Sequence, residues 1–276
     1  MSRNVILFII SILFCANING QSYKESLKKA LDAKDMKKAE EILKSWDIAD
    51  SNDPELYISY SNFYAIKSQA AAAVMNPTGY DSEYSKKALE FITYGIDRFP
   101  TRLDMRMIKI YLLAKLNDYT SFTAEVIKAI EYSVQIKNNW KGGGFESIKN
   151  AENIFFGAIA DFQNILYTKN RASLYANMTR ISEVMLKHYP KHVQSMIDMS
   201  TVYVKQNNYN ESIKILTKAN TVEPGNAIVQ YNLAYVYNMM GDKVNAKKFY
   251  ELVVVNAKEK EQELKEGAER HLKELQ

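Results

Sequence analysis

Over the last hundred residues, large apolar and small positions return at a spacing of 34. Tyr203 returns as Tyr237, Met199 as Leu233 and Leu216 as Tyr250, while the small residues Ser200 and Ser212 return as Ala234 and Ala246. A period of this length belongs to stacked helical hairpins, because no single pair can bury its apolar face alone. The punctuation agrees with helices throughout. Ser22-Tyr23-Lys24-Glu25 has the form of a capping box and predicts a helix start. Asp53-Pro54-Glu55 sets an acidic cap before a proline at the first helical position, and Asn226 precedes another helix. Asn117-Asp118, Asn207-Asn208 and Gly241-Asp242 read as tight turns between antiparallel neighbours. Short connections of this kind leave room for about thirteen helices, hence about six hairpins and a terminal helix near Glu259 to Leu275.

Counted from Val193, the small residues fall at positions 8 and 20, the aromatic at position 11 and Pro224 at position 32. In this the segments 193–226 and 227–260 resemble the tetratricopeptide repeat. The small residues let two helix axes approach, and the aromatic fills the space beyond them. The second segment has Ala234, Tyr237 and Ala246 in place, with Lys258 where the proline would stand. The resemblance implies an all-α fold, a right-handed α-α superhelix of about six hairpins with a C-terminal capping helix.

Upstream the register loosens. Tyr57, Tyr60, Ser61 and Tyr64 fit a first helix, and Ala88 precedes Pro100 as Ser212 precedes Pro224. Between Tyr64 and Ala88, however, fifteen extra residues are inserted around Ser68 to Asp81, with Ala70 to Ala73 helical and Asn76-Pro77 ending the helix. A unit from Thr101 carries Met107 and Tyr111 but bulky Ile108 at the small position. Residues 22–53 form a worn first hairpin around Ala39 and Leu43, and 147–190 a long hairpin outside the motif. Lys141 to Phe145, with three glycines, reads as the most flexible break. The expected division is therefore a leader at 1–20, degenerate hairpins over 21–141, and hairpins over 142–276 that contain the two best repeats.

Composition adds an address. Arg3 followed by the apolar stretch Val5 to Ala16 is too short to span a bilayer, which takes about 20 residues, and predicts a cleavable export signal cut after Gly20. Cys15 is the only cysteine and follows Phe14, where a lipoprotein signal needs a small residue. Cleavage would leave a protein without disulfides, held by packing alone. The expected location is periplasmic or secreted, with membrane attachment disfavoured. With 36 Lys+Arg against 32 Asp+Glu, mixed along the chain, there is no basic block to suggest nucleic acid. Only 10 Gly and 5 Pro argue against a turn-rich β-sandwich.

No pattern of catalytic residues emerges. His188, His192 and His271 lack metal-ligand spacing, and the Lys187 to His192 run reads as a helix C-terminus ended by proline. Gly142-Gly143-Gly144 lacks the Lys-Ser/Thr ending of a phosphate loop, no Gly-x-Ser-x-Gly elbow occurs, and Glu40-Glu41 is an ordinary exposed pair. No enzyme activity and no cofactor or metal are expected.

In the family that these segments resemble, positions 2, 5, 9 and 12 of each first helix line an inner groove. Carried onto this chain, that register implies Glu55, Ile58, Asn62 and Ala65 in the unit from Pro54. The unit from Thr101 supplies Arg102, Met105, Lys109 and Leu112, that from Val193 supplies Ile197, Thr201 and Val204, and that from Ala227 supplies Ile228, Tyr231, Tyr235 and Asn238. Ile197 and Thr201 occupy the positions where a carboxylate clamp would need Lys and Asn, so that mode is excluded for this pair. The implied function is a non-enzymatic envelope scaffold that takes a partner peptide or helix on an apolar, aromatic groove. Against it stand a membrane-associated component of an outer-membrane assembly or transport machine, and a carbohydrate-handling protein suggested by 19 tyrosines. A terminal helix over Tyr231 and Tyr235 would turn them into packing residues.

Overall fold

The computed structural model describes residues 18–72, 81–143 and 146–275. They form thirteen α-helices: α1 (Ile18–Asp32), α2 (Met36–Ala49), α3 (Pro54–Ala72), α4 (Ser82–Arg98), α5 (Leu103–Lys115), α6 (Tyr119–Gln135), α7 (Ala151–Thr168), α8 (Tyr175–His188), α9 (Val193–Lys205), α10 (Tyr209–Val222), α11 (Ala227–Met239), α12 (Lys243–Asn256) and α13 (Gln262–Glu274). Extended pairing among them is limited to isolated bridges at Lys141. The protein is all-α and built from helical hairpins.

The caps explain where the helices begin. Asp53 Oδ1 accepts from the Glu55 amide at 2.9 Å. Asn226 Oδ1 accepts from Ile228 and Val229 at 3.0 and 3.1 Å. Asp118 and Asp242 serve α6 and α12 in the same way. The turns end in left-handed residues, Asn117 at φ 59, Asn207 at φ 57 and Gly241 at φ 77, which asparagine and glycine tolerate best. One start is misplaced by the sequence pattern. Ser22 to Glu25 lies inside α1, which is described from Ile18, so the expected cut after Gly20 falls within this helix.

The described residues divide into two compact units, one lying within 1–125 and 132–156, the other within 126–131 and 157–276. In the first, Leu27, Ala39, Leu43, Trp46, Leu56 and Phe63 form a core across α1, α2 and α3. Trp46 stacks on Tyr23 at 5.8 Å and donates to Asp53 Oδ2 at 3.2 Å. A Cβ on Gly95 would stand 2.8 Å from that of Tyr57, so α4 approaches α3 more closely than any other residue there would allow. The fifteen-residue insertion lengthens α3. Its return is pinned where Ser68 Oγ meets the Asp81 carbonyl and Ser85 Oγ, each at 2.8 Å. Asn76-Pro77, expected to end that helix, lies outside the described residues.

The start of the glycine segment, Lys141 to Gly143, is tied back into the unit, while Gly144 and Phe145 lie outside the described residues. The Lys141 amide donates to Thr101 O at 2.9 Å, and Trp140 beside it is fully buried between Tyr132 and Phe155. Arg102 sits beneath this segment with no exposure. Its guanidinium takes both oxygens of Asp104 at 2.8 and 2.6 Å, Glu55 Oε1 at 2.5 Å and Gly143 O at 3.3 Å. Arg102, Met105 and Leu112, expected along an inner groove, are all buried in this unit. Ile108, at the position where the repeat has a small residue, packs against Ile92, Ile96 and Met105.

In the second unit the 34-residue register is realised. Ser200, Ser212, Ala234 and Ala246 are each no more than 2% exposed. Ser212 Oγ donates to the Ser200 carbonyl at 3.3 Å, so the small positions of α9 and α10 touch. α9 pairs with α10 and α11 with α12, while α9 also meets α11 and α11 meets α13. The core runs through Met196, Leu216, Val229 and Leu233 into Ala234, Ala246, Tyr250 and Ala268. The pair α7 and α8, joined by a 3₁₀ turn at Ala172–Leu174, stands outside the repeat motif as the sequence indicated.

A candidate partner-binding cleft in the second unit

Helix α9 is capped by His192, whose Nδ1 faces the Ser195 amide at 3.3 Å and Ser195 Oγ at 2.9 Å. That places Gln194, Ile197, Asp198 and Thr201 at i, i+3, i+4 and i+7, one stripe along the helix. Helix α7 presents a second stripe at the same spacing: Ala160, Gln163, Asn164 and Tyr167. Together with Met178 of α8 these residues line a cleft of ≈ 200 Å³. Ala160, Met178 and Ile197 make its apolar surface, and Tyr167, 39% exposed, offers an aromatic edge.

The polar groups of the cleft are unevenly satisfied. Gln163 is 2% exposed, and its Nε2 donates to Met178 O at 3.0 Å and Ser182 Oγ at 2.8 Å. A backbone carbonyl accepts only, so this contact settles which end of the amide is nitrogen. Gln163 Oε1 is left buried without a partner, and so is Asp198 Oδ2. The other Asp198 oxygen accepts from Gln194 Nε2 at 2.9 Å. Burial pushes the Asp198 carboxyl up to about 6, against the pull of the Gln194 hydrogen bond. Thr201 Oγ1 donates to the Ile197 carbonyl at 3.0 Å and is thereby spoken for.

Of the groove residues read from the repeat register, Ile197 and Thr201 meet in this cleft. Tyr231, Tyr235 and Asn238 lie together on α11. Tyr231 packs edge-on against Tyr250 at 5.6 Å and beside His271 of α13 at 6.2 Å. Its hydroxyl lies 3.2 Å from where a Cβ of Gly267 would stand, so the terminal helix shields it, and burial raises its phenol above the ordinary range. Tyr235 remains 39% exposed and Asn238 half-buried. In the other unit Asn62 is exposed on α3, and Lys109 pairs with Glu125 at 3.3 Å.

The register missed Gln163, Asn164, Tyr167 and Asp198. Three of them belong to α7, outside the repeats, and Asp198 sits at position 6, which no groove rule assigns. Their shared i, i+3, i+4, i+7 spacing was the available signal. The tryptophans carry no sugar-stacking platform, since Trp46 and Trp140 are both at most 1% exposed. Among the described residues no group of His, Cys, Asp and Glu could hold a metal ion, and no helix is long and apolar enough to cross a membrane.

The paired helices and their register define an all-α protein of tetratricopeptide-like hairpins. No family model and no curated protein matches the chain. Among solved structures it is similar to MamA from Desulfovibrio magneticus, at 13% identity and TM-score 0.39 over 70% of this chain and 93% of that one. It is also similar to YrrB, described as a TPR protein with an unusual peptide-binding site, at 11% identity and TM-score 0.43 over 83% and 97%. A tetratricopeptide repeat protein from Parabacteroides merdae aligns at 19% identity and TM-score 0.39 over 87% and 81%.

Proposed function

We propose that the chain is a non-enzymatic, protein-binding scaffold whose cleft between α7, α8 and α9 receives an extended segment of a partner protein. The observation that carries this reading is the pair of matched stripes, which leave two buried acceptors, Gln163 Oε1 and Asp198 Oδ2, without internal donors. Buried polar groups are satisfied in the great majority of cases, and unmade hydrogen bonds cost stability. An occupant that brings donors removes that cost. The cleft is below the roughly 300–1,000 Å³ of small-molecule pockets, which favours a side chain over a free metabolite. Photocrosslinking from positions 167 and 201 in the native host tests the assignment, with Val244, 80% exposed on α12, as control. One protein captured from both cleft positions and not from 244 is the expected outcome. Equal capture from all three positions sinks it.

The same proposal includes export. Arg3 and the apolar stretch Val5 to Ala16 support a signal peptide removed near Gly20. N-terminal sequencing of the protein recovered outside the cytoplasm should begin at or near Gln21. A start at Met1 would contradict cleavage, and a lipid-modified start at Cys15 would replace it with membrane anchoring.

A further inference from the structure

We propose that the cleft is an arginine pocket: Asp198 is the counter-charge for a guanidinium carried on the partner's extended segment. This rests on the reading of the cleft as the partner site and adds the chemistry that the partner must present.

Asp198 is the only charged side chain lining the cleft. Its Oδ2 is shielded from water, yet among the described residues its sole hydrogen bond, at Oδ1, comes from a neutral amide one turn away, and no ion pair involves it. Elsewhere in the molecule a buried charge is treated differently. Arg102 is met by two carboxylates and a carbonyl. A carboxylate held out of water without a cation is costly, and a cation supplied from outside converts that cost into affinity. Burial alone, with no neighbouring charge contributing, raises its titration to about 6, which is the behaviour of an acid lacking its counter-ion.

Further features of the cleft suit a guanidinium. Gln163 Oε1, on the facing stripe, is a second acceptor without a donor, held in place because its own nitrogen is used twice. Arginine carries five donors in a planar fork and can serve acceptors on two helices at once, whereas an ammonium is a compact point charge. The Tyr167 ring at the rim already attracts a cation, since Lys205 Nζ lies 5.4 Å from its centroid. Asp198 Oδ2 and Gln163 Oε1 are both closed to water in the empty cleft, so a guanidinium meets them only with rotation of the Asp198 carboxylate about Cβ–Cγ, a broad and shallow torsion, and a small opening of the cleft. The alkyl stem of arginine suits Ile197, Met178 and Ala160.

The test is a titration of the isotopically labelled full chain with capped pentapeptides, alanine throughout except the centre. The central residue is arginine, its neutral isostere citrulline, lysine or leucine. Shifts at Gln163, Tyr167 and Asp198 report the cleft. Arginine should bind at least about tenfold more tightly than citrulline, in line with a charge-assisted hydrogen bond, and more tightly than lysine. Asp198→Asn keeps the Gln194 hydrogen bond and should abolish the difference between arginine and citrulline while the thermal midpoint does not fall. Equal binding of citrulline, an arginine preference that survives in Asp198→Asn, or tighter binding of lysine overturns the proposal. Tighter binding of the leucine peptide overturns it too, while leaving the cleft as a binding site. If no peptide shifts the cleft resonances the arginine pocket is overturned, and crosslinking from positions 167 and 201 separately decides whether the cleft binds a partner.

Discussion

Two buried charges show what single residues contribute. Arg102 is surrounded by Glu55, Asp104 and Gly143 O, which makes it a clasp for the start of α5 and the segment after Trp140. Asp198 has no such set. Its raised titration is a statement about stability. Between the ordinary carboxylate value, 3.8, and about 6 the folded state holds a proton that the unfolded chain has lost. Stability contributed by the protonated form is therefore present below pH 4 and is lost as pH rises through 6. At two titration units the loss approaches about 3 kcal/mol as an upper bound. Asp198→Asn, neutral at every pH, should thus melt above the parent at pH 7.5. The gap should close as pH falls through 6 towards 4. Melting curves at four or five pH values decide the matter, and a pH-independent gap would mean that Asp198 titrates normally. A residue that weakens the free protein yet is placed to meet a partner fits the usual conflict between stability and function.

At the scale of elements, the sequence was most legible where chemistry is local. Caps and turns depend on a few adjacent residues, so Asp53, Asn226, Asn207 and Gly241 announced their helix ends correctly. The small positions of α9 to α12 were legible because two repeats state the same spacing twice. What remained hidden depends on distant partners. Three glycines suggested a flexible break, and at its described start Lys141 is bound to Thr101 and Gly143 O meets Arg102, contacts across about forty residues that no local pattern encodes. Helix α7 carries half of the cleft and has no repeat register at all. Tyr231 shows the converse: the register assigns it to a groove, and the helix that follows packs against it. The groove rule marks which way a side chain points. It cannot tell whether another element is already there.

For the whole molecule, the two compact units each have a core of their own, one around Leu43, Trp46 and Phe63, the other around Leu233, Ala234 and Tyr250. In repeat-built chains each hairpin is stabilised by its neighbours, so damage stays near its origin. Ala234 makes this measurable. It is fully buried where α11 meets α12, beside Ala246. Replacing it by leucine adds bulk at a point built for close approach and should cost about 1–3 kcal/mol. Hydrogen exchange followed by mass spectrometry should then show α11, α12 and α13 losing protection by that amount, with α1 to α4 unchanged. Uniform loss along the chain would show a single cooperative unit in place of neighbour-by-neighbour stability. Unaltered protection in α11 would mean that the position has room to spare, and the 34-residue register would lose its physical basis, since the spacing matters only if the small residues are where helices touch.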